Sequence, residues 1–377
     1  MTAETYAGTH DVPDGVAVGR VTLQTVADRV GVSRMTVSNA FSRPDQLSPA
    51  LREKILAAAA ALGYVGPDPA ARALARRSSG AVGVVLTDSL GEAFLDPVAA
   101  AFFGSLAESL APTGLAVSLI PAENVGGHVP ARDLPLDAAV IYACAGDTEA
   151  VEWLHKRRLP LVFVDQEPLP GSAGVLLDDR AGGRLAVEHL LALGHRDVAV
   201  LTMNSDRTGP GWAPDPRAPG SNHVSHERVA GALDALEAAG LAGRVYEVVD
   251  NHDELIVPGV ADLVASPDRP TAVVCFSDLM AAHLVRAAQA AGLTVPDDLS
   301  VVGFDDSVHA QTVRPALTTV RQDFASKGRL AAKALTEAVA RAREASDDAA
   351  EERTPPIERI PVDLVLRDST APPRPRG

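Results

Sequence analysis

Residues 21–41 read VTLQTVADRVGVSRMTVSNAF, and their pattern predicts the fold of the amino-terminal part of the chain. Thr22 can cap a helix, because its side-chain oxygen can accept hydrogen bonds from the first backbone N–H groups. The apolar residues that follow recur at the spacing of one helical face: Leu23, Val26, Ala27 and Val30. Gly31 permits the positive φ of a tight turn, and Ser33 can cap a second helix that runs through Ala40. The pattern predicts a helix-turn-helix.

A third helix is predicted immediately downstream. Ser48 and Pro49 supply a cap and a first-turn proline, and apolar positions continue to Leu62, just before Gly63. A helix-turn-helix needs a small residue where its helices cross, a glycine in the turn and a β-branched residue between the helices, and the first stretch supplies all three. An unrelated three-helix bundle is the alternative interpretation.

The distribution of charge separates this head from the rest of the chain. The 377 residues carry a formal net charge of −15, which taken alone argues against a nucleic-acid partner. Between Arg20 and Gly80, however, nine basic residues stand against four acidic ones. A small basic head joined to a large acidic body indicates that the two parts meet different partners.

The head resembles the DNA-binding head of the LacI family of bacterial transcriptional regulators. The resemblance runs through residues 21–41, LSPALREKILAAAAALGY at 47–64 and ARAL at 71–74. It implies that three residues of the second helix read base edges in the major groove: Arg34, Met35 and Asn39. It implies that four hydroxyl side chains hold phosphates: Ser33, Thr36, Ser38 and Ser42. The chemistry agrees, since arginine suits guanine, asparagine suits adenine and short hydroxyls suit phosphate oxygens.

Further DNA contacts are expected from the third helix and from the segment after it. Arg52 and Lys54 are candidate phosphate contacts, with a solvated role as the alternative for each. The segment Pro69–Arg77 is rich in helix formers but too short to be stable alone in water. The resemblance implies a hinge helix that pairs with its copy in a second subunit, contacts DNA through Arg72 and wedges Leu74 into the minor groove. The alternative is a linker helix with Leu74 packed on the body, and an extra residue after Tyr64 leaves the hinge register open.

From Ala81 onward, short apolar runs alternate with helical patterns. Two sets of strands are predicted, at 81–88, 115–121, 137–144 and 159–165 and then at 197–203, 244–250, 271–278 and 300–306. Helices are predicted at Asp96–Leu110, Thr148–Arg158, His226–Ala239, Leu255–Ala265 and Leu279–Gly292. Continuous apolar strands that alternate with helices indicate parallel sheets covered on both faces. The predicted fold class is an all-α head plus an α/β body of two doubly wound parallel-sheet subdomains.

Such subdomains leave a cleft where the carboxyl ends of their strands meet, and open parallel sheets bind ligands there. Polar residues end several of the predicted strands: Asp88, Asp165, Ser277, Asp278, Asp305 and Asp306. Each acid taken singly has the alternative role of a helix cap. Together, facing one cleft, they favour a small polyhydroxylated or amine-bearing ligand.

The resemblance extends through the body in LLALGHRDVAVL at 190–201, ERVAGALDAL at 227–236, PTAVVCFSDLMA at 270–281, GLTVPDDLSVVGFDD at 292–306 and PALTTVRQDF at 315–324. It implies a body similar to periplasmic sugar-binding proteins that serves as effector domain and dimer interface. It implies effector contacts from one wall of the cleft: Arg228, Ser277, Asp278, Asp305 and Gln322. On the facing wall the candidates are Thr87, Asp88, Asp96 and Asp165. The family's ligand wall includes an aromatic side chain, for which the candidates are Trp212, Phe276 and Phe324.

The predicted organisation has five parts: a flexible leader (1–19), the head (20–66), a hinge and linker (67–80), the body (81–370) and a tail (371–377). The first subdomain of the body is predicted at 81–180 plus 309–340, and the second at 181–308 plus 341–370. The Gly- and Pro-rich stretch 204–222 reads as a loop, either a lid over the cleft that carries Trp212 or an inert insertion. Residues 343–356 and the tail are expected to be mobile.

The sequence gives no support for catalysis or for a cofactor. Nucleophile-elbow, zinc-protease and phosphate-loop motifs are missing, and His223, His226 and Glu227 read as polar surface rather than a metal site. No segment is apolar enough to span a bilayer, and the two cysteines form no ligand pair, so a reduced cytoplasmic setting is expected. We therefore predict a homodimeric regulator that acts as a repressor. It binds a pseudo-palindromic operator in double-stranded DNA, and a sugar-like effector controls this binding. The alternative is a cytosolic small-molecule-binding protein or enzyme whose cleft is the main site.

Overall fold

The computed structural model describes residues 21–68, 73–74, 78–86, 90–124, 126–143, 148–218, 222–344 and 355–374. The predictions for the leader, Arg72, Thr87 and Asp88 fall outside these ranges. The chain forms two compact units, Met1–Ser79 and Gly80–Gly377. Among the helices within these ranges, none is both long and apolar enough to cross a membrane.

The head contains three α-helices, which confirm the predicted helix-turn-helix: α1 (Leu23–Val30), α2 (Arg34–Ser42) and α3 (Pro49–Ala61). Thr22 and Thr25 form a reciprocal cap at the start of α1, which ends at Gly31 with φ of +78°. Ser33 caps α2 by accepting from the Thr36 N–H at 3.0 Å. Local sequence therefore determines where the first helix ends and the second begins.

The three helices enclose a small core that is made mainly of short aliphatic side chains: Val26, Ala27, Val37, Ala40, Ile55 and Ala59. Alanine at the helix crossing lets the backbones approach closely, which a larger side chain would prevent. Phe41 packs edge-on against Tyr64 with ring centroids 5.7 Å apart, and this pair fixes the chain that leaves α3.

The described part of the body contains thirteen strands: β1 (Ala81–Leu86), β2 (Ala116–Pro121), β3 (Ala138–Tyr142), β4 (Leu161–Val164), β5 (Ala173–Leu177), β6 (Val198–Met203), β7 (Gly211–Trp212), β8 (Arg244–Val248), β9 (Ala272–Cys275), β10 (Ser300–Asp305), β11 (Thr318–Arg321), β12 (Ile357–Ile360) and β13 (Asp363–Val365). The first sheet has the order β12-β5-β4-β3-β1-β2 and is parallel throughout. The second has the order β13-β11-β10-β9-β6-β8-β7, and only its two edge strands are antiparallel. The α/β body with two parallel sheets is confirmed.

Helices cover both sheets, as continuous apolar strands require. They are α4 (Leu90–Leu95), α5 (Pro97–Leu110), α6 (Pro130–Asp133), α7 (Glu149–Lys156), α8 (Asp179–Ala192), α9 (His223–Ala238), α10 (Asp253–Ala265), α11 (Asp278–Ala290), α12 (Val308–Thr312) and α13 (Phe324–Glu344). In the first subdomain, α5 and α13 pack together where Gly328 leaves no room for a Cβ beside Ser105. Ser105 also donates to the Ala325 carbonyl oxygen at 2.9 Å, so the start of α13 is fixed to the first subdomain.

The predicted subdomain boundaries after residue 308 are wrong. Strand β11 pairs with β10 in the second sheet, although 309–340 was assigned to the first subdomain. Strand β12 pairs with β5 in the first sheet, although 341–370 was assigned to the second. The chain crosses between the subdomains near Asp178, before α13 and after β12, because β11 pairs with β10 in the second sheet whereas β12 pairs with β5 in the first.

Two predictions about mobile or irregular segments also need correction. Within 204–218, residues Gly211 and Trp212 form β7 on the edge of the second sheet. Trp212 packs edge-on against Tyr246, with the guanidinium of Arg244 over its ring at 4.0 Å. It is therefore part of the sheet edge and neither a lid nor the aromatic wall of the cleft. The tail was expected to be mobile, but its first residue is fixed to the second sheet. The Ala371 N–H donates to the hydroxyl of Ser300, the first residue of β10, at 3.1 Å.

Candidate functional site

The exposed end of α2 is the first candidate site. Arg34 and Met35 occupy its first turn and point outward, with Met35 69% exposed. Val37 and Ala40 on the opposite face are fully buried. An exposed arginine beside an exposed apolar residue, on a helix fixed by a buried face, can enter a DNA major groove.

The other polar residues of this face already take part in hydrogen bonds within the head. Asn39 Nδ2 donates to Gln46 Oε1 at 3.1 Å, which orients the amide and leaves its oxygen as an acceptor. The Ser42 hydroxyl donates to the Ser38 carbonyl oxygen at 2.9 Å. Ser33 and Thr36 share a hydroxyl contact of 2.8 Å at the start of the helix, where backbone N–H groups and the helix dipole favour an anion.

The third helix supplies the two basic residues that were expected to contact phosphate. Lys54 is exposed. Arg52 Nε instead donates to the Ala40 carbonyl oxygen at 3.3 Å, and this bond ties α3 to the end of α2. Arg52 therefore supports the geometry of α2, and because its side chain is also exposed it remains a candidate phosphate contact.

Only Ala73 and Leu74 of the predicted hinge helix lie within the described residues. Both are helical, and the Ala73 carbonyl oxygen accepts from the Ser78 N–H at 3.1 Å. The Leu74 side chain is 82% exposed. Exposure of a large apolar side chain to water is unfavourable, which favours a role in which the Leu74 side chain is buried against a binding partner.

The carboxyl ends of the two sheets meet in the second candidate site. Asp165 directly follows β4 of the first sheet, and Asp305 ends β10 of the second. Gln322 Nε2 donates to Asp305 Oδ1 at 2.6 Å, and Lys327 Nζ donates to Gln322 Oε1 and Asp165 Oδ2, both at 2.7 Å. A continuous polar bridge thus connects the two subdomains, as the predicted cleft requires.

The backbone at both acids is strained. Asp165 has φ of +58° and Asp305 has φ of +113°, a range that residues with a side chain rarely adopt. Burial raises the pKa of both carboxyl groups, with partial opposition from Lys327 at Asp165 and from Arg228 at Asp305. Strained, buried acids at the carboxyl ends of strands are typical of a binding site.

Arg228 of α9 is the principal cation on the second wall. Its Nε donates to Asp179 Oδ1 at 2.8 Å, and its Nη1 donates to the Phe276 carbonyl oxygen at 2.6 Å and lies 3.6 Å from Asp305 Oδ1. The rings of Phe304 and Phe276 lie 3.5 and 4.8 Å from the guanidinium carbon. Within the described ranges Nη2 has no hydrogen-bond partner, so it is the donor that a ligand can use.

Glycines bring Arg228 to this position. A Cβ on Gly183 would overlap the Arg228 carbonyl oxygen, and a Cβ on Gly231 would overlap the Arg180 carbonyl oxygen. Helices α8 and α9 therefore cross with their backbones in contact, which places Asp179 next to Arg228. The glycine pair at 182–183 serves helix packing, since a Cβ on Gly182 would lie 2.6 Å from the Phe304 ring.

Asp278 was expected to line the ligand wall, and the structure corrects this expectation. Its Oδ1 accepts from the Thr319 hydroxyl at 2.6 Å and its Oδ2 from the Ser307 N–H at 2.7 Å. The residue is completely buried, and burial raises the pKa of its carboxyl to about 7. Asp278 therefore supports the loop after β10 rather than contacting a ligand.

Ser277 and Asp96 have structural partners that define their positions. The Ser277 hydroxyl caps α11 by accepting from the Met280 N–H at 3.1 Å and donates to Asn251 Oδ1 at 2.7 Å. Asp96 caps α5 by accepting from the Val98 and Ala99 N–H groups. The Asp96 carboxylate also helps raise the pKa of Asp305.

Sequence reasoning missed Lys327, Asp179 and Asn251. Lys327 carried a usable signal, because it stands on the apolar face of α13 with Ala331 and Leu335 one and two turns away. Asp179 looked like an ordinary first-turn acid, and Asn251 lies in a loop without a motif. Among the aromatic candidates only Phe276 is shown beside Arg228, whereas Trp212 lies at the sheet edge.

The chain matches two family models. Residues 22–66 match bacterial regulatory proteins of the lacI family, and residues 187–370 match a periplasmic binding protein-like domain. An HTH-type transcriptional regulator of Mycolicibacterium smegmatis is 39% identical over 334 residues, covering 84% of this chain and 90% of its own.

Solved structures agree with these matches. The lac repressor dimer bound to operator and the anti-inducer ONPF has a TM-score of 0.72 at 26% identity, covering 93% of this chain and 99% of its own. The complex of the transcriptional regulator CelR with cellobiose has a TM-score of 0.63 at 26% identity, covering 93% and 100%.

Proposed function

The chain belongs to the LacI family of bacterial transcriptional regulators, and from this premise we propose that it is a homodimeric cytoplasmic repressor without enzymatic activity. Two heads bind the half-sites of a pseudo-palindromic operator, and an effector bound between the subdomains controls that binding. The exposed first turn of α2 carries the DNA-binding part of this proposal, and the bridge between the two sheets carries the effector part.

In the head, we assign base reading to Arg34, Met35 and Asn39. Arg34 has the donor geometry for guanine, Met35 offers an apolar surface to a thymine methyl, and the oriented Asn39 amide suits adenine. We assign phosphate contacts to the hydroxyl and basic residues around them: Ser33, Thr36, Ser38, Ser42, Arg52 and Lys54. Phosphate contacts position the helix, and base contacts select the sequence.

In the hinge, residues 67–80, we assign the minor-groove wedge to Leu74, and Arg72 is proposed to contact the DNA beside it. A short helix is marginal alone, so pairing with its copy in a second subunit and burial of Leu74 between base pairs would stabilise it. The lac repressor structure with operator is that of a dimer, which supports this arrangement.

In the body, we assign the effector site to residues of both walls: Thr87, Asp88, Asp96, Asp165, Arg228, Ser277, Asp305 and Gln322. Carboxylates and a guanidinium donor suit hydroxyl groups, and CelR binds cellobiose in a related body. A sugar-like effector is therefore our proposal. Because the bridge spans both sheets, a ligand that prefers one angle between the subdomains shifts the equilibrium between two body states.

The hinge assignment is tested by replacing Leu74 with alanine. Operator affinity of the Leu74→Ala variant should fall at least about tenfold, because the wedge no longer stabilises the kinked duplex. Fluorescence anisotropy with labelled operator measures it at constant moderate salt. Leu366→Ala is the matched control, since this leucine is 64% exposed on the body. Equal affinities of the Leu74→Ala variant and the unaltered protein would refute the hinge assignment.

A further inference from the structure

Lys327 is one of four lysines in the chain and lies on the inward face of α13, where only 1% of it is exposed. Its neighbours on that face are small or apolar residues, including Gly328, Ala331 and Leu335. An ammonium group loses its hydration when it is buried and must be compensated by charged or polar partners. A lysine at a core position of a helix therefore indicates a specific electrostatic role.

The Lys327 ammonium is held in place from both sides of the cleft. It donates to Asp165 Oδ2 on the first sheet and to Gln322 Oε1, whose amide in turn holds Asp305 of the second sheet. The backbone that carries Lys327 is fixed by the contact between Gly328 and Ser105. The position of the ammonium is therefore determined by the fold.

The partner carboxylate keeps one oxygen unused. Asp165 Oδ1 is buried and has no hydrogen-bond partner, and the same is true of Nε2 on the adjacent Gln166. Asp179 Oδ2, beside Arg228, is a second buried acceptor without a partner. Buried polar atoms are nearly always bonded, so exceptions at a strained residue between two subdomains indicate places for ligand or ordered-water contacts.

We propose that Lys327 is a specificity-determining residue of the effector site: it compensates Asp165 and leaves Oδ1 to accept from a hydroxyl or amine of the effector. The site then takes an uncharged or cationic ligand rich in donors, and it rejects phosphorylated or carboxylate ligands. This inference rests on the proposed function, because it concerns the effector of the same cleft.

The balance of charge explains the rejection of anions. Among the described residues, the charges of both buried cations are already compensated, Arg228 by Asp179 and Asp305 and Lys327 by Asp165. Arg228 keeps only Nη2 as a donor for a ligand. A phosphate that entered the cleft would meet unpartnered carboxylate oxygens and would have to compete for cations that already have counter-ions. In a poorly hydrated site, such repulsion is weakly screened. A hydroxyl or ammonium group would instead find acceptors.

The first test compares neutral, amine and phosphorylated forms of the same skeleton. The probes are D-glucose, D-glucosamine and D-glucose 6-phosphate, D-ribose and D-ribose 5-phosphate, and adenosine and adenosine monophosphate. Thermal shift and calorimetry with the full-length protein should show binding of a neutral or amine member, with its phosphorylated counterpart at least about tenfold weaker. Tighter binding of a phosphorylated member, or binding of no neutral or amine probe at millimolar concentration, would overturn the proposal.

The second test separates specificity from stability with variants of α13 and β4. Lys327→Met keeps an unbranched chain of similar length, and the matched control is Lys333→Met on the same helix, whose side chain is 65% exposed. The selected neutral probe should bind Lys333→Met as it binds the unaltered protein, and it should bind Lys327→Met at least about tenfold more weakly. Unchanged affinity of Lys327→Met would contradict the proposal.

A double variant tests whether loss of folding explains the weaker binding of the probe by Lys327→Met. Lys327→Met combined with Asp165→Asn removes both buried charges and should recover thermal stability relative to Lys327→Met alone. Its preference for the neutral over the phosphorylated probe should fall at least about fivefold. Full retention of that preference would mean that the pair is only structural.

Operator binding is measured in parallel and separates the two possible failures. If the unaltered protein selects operator DNA but prefers anionic probes, the inference about Lys327 is wrong and the proposed function stands. If the protein selects no DNA, the proposed function fails independently of the ligand data.

Discussion

At the scale of single residues, the head separates side chains that support α2 from those available to DNA. Ser33 and Arg52 hold the ends of the helix, and Asn39 is oriented by Gln46. Arg34 is exposed at the first turn, and we propose that it contacts a base. The head therefore presents a preorganised surface in which few side chains need to be ordered on binding.

Replacing Arg34 with alanine should relax the preference at one base pair of each half-site. We expect a loss of about 1–3 kcal/mol against the preferred base, because a bidentate guanine contact is removed. Binding of a set of single-substituted operators measures this. The control Lys54→Ala should weaken all operators equally, and the same uniform loss for Arg34→Ala would show that Arg34 contacts only phosphate.

Asp278 gives a prediction for pH dependence. Burial raises the pKa of its carboxyl to about 7, so the folded protein holds a proton that the unfolded chain releases above about pH 4. Because the folded state binds one proton more than the unfolded chain between about pH 4 and pH 7, the free energy of unfolding falls as the pH rises through this range. The free energy of unfolding of Asp278→Asn should therefore increase, relative to that of the unaltered protein, by about 1.4 kcal/mol per pH unit between about pH 5 and pH 7.

Urea denaturation at a series of pH values measures that difference. Asp363→Asn is a suitable control because its side chain is 75% exposed. Its difference from the unaltered protein should be nearly independent of pH over the same range. A flat difference for Asp278→Asn as well would show that the carboxyl is ionised normally in the folded state.

At the scale of elements, the crossing of α8 and α9 determines the second wall of the cleft. Gly183 and Gly231 let the helix backbones touch, and the contact places Asp179 against Arg228. Gly183→Ala should lower the free energy of unfolding by about 2 kcal/mol or more, because the added methyl group meets backbone atoms that cannot move independently.

Gly104→Ala is the matched control for this prediction. Gly104 lies inside α5 with nothing within 4 Å of its Cβ position, so alanine should stabilise the protein by about 0.5–1 kcal/mol. Chemical denaturation of both variants gives opposite signs if the crossing limits the space. Similar effects of the two substitutions would mean that α8 and α9 can separate at little cost.

Only some of the helices and strands could be predicted from the sequence. Caps at Thr22, Ser33 and Ser48 and continuous apolar runs are local signals, so helices of the head and central strands were predictable. Edge strands β7, β12 and β13 are two to four residues long and have few apolar residues to mark them. The sheet membership of these strands, and of the internal strand β11, depends on distant backbone partners, which is why the subdomain boundaries after residue 308 were wrong.

The residues of the candidate effector site could also be predicted only in part. Arg228, Asp305 and Gln322 stand in motifs, and the structure brings all three together. Lys327 and Asp179 are recognised only through contacts with residues far away in the sequence. Asp278 stands in a motif as well, but its partners Thr319 and Ser307 use both of its oxygens. A motif therefore indicates where the site is and leaves open which of its residues face the ligand.

At the scale of the whole molecule, a basic head and an acidic body with a bridged cleft account for the charge asymmetry of the chain. The head needs cations to hold phosphates, whereas the body uses buried acids whose charges are compensated within the protein. In the proposed mechanism, a short hinge helix of marginal stability needs only a few kcal/mol of differential effector affinity to change its population.

We conclude that this chain is an effector-controlled, operator-specific DNA-binding protein. The measurement that tests it most directly is selection of duplexes from a random-sequence pool by the full-length protein, with and without a panel of neutral, amine and phosphorylated metabolites. We expect recovery of a pseudo-palindrome with a deformable central step, in an amount that changes with a neutral or amine metabolite. Recovery of no common sequence under any condition would contradict it.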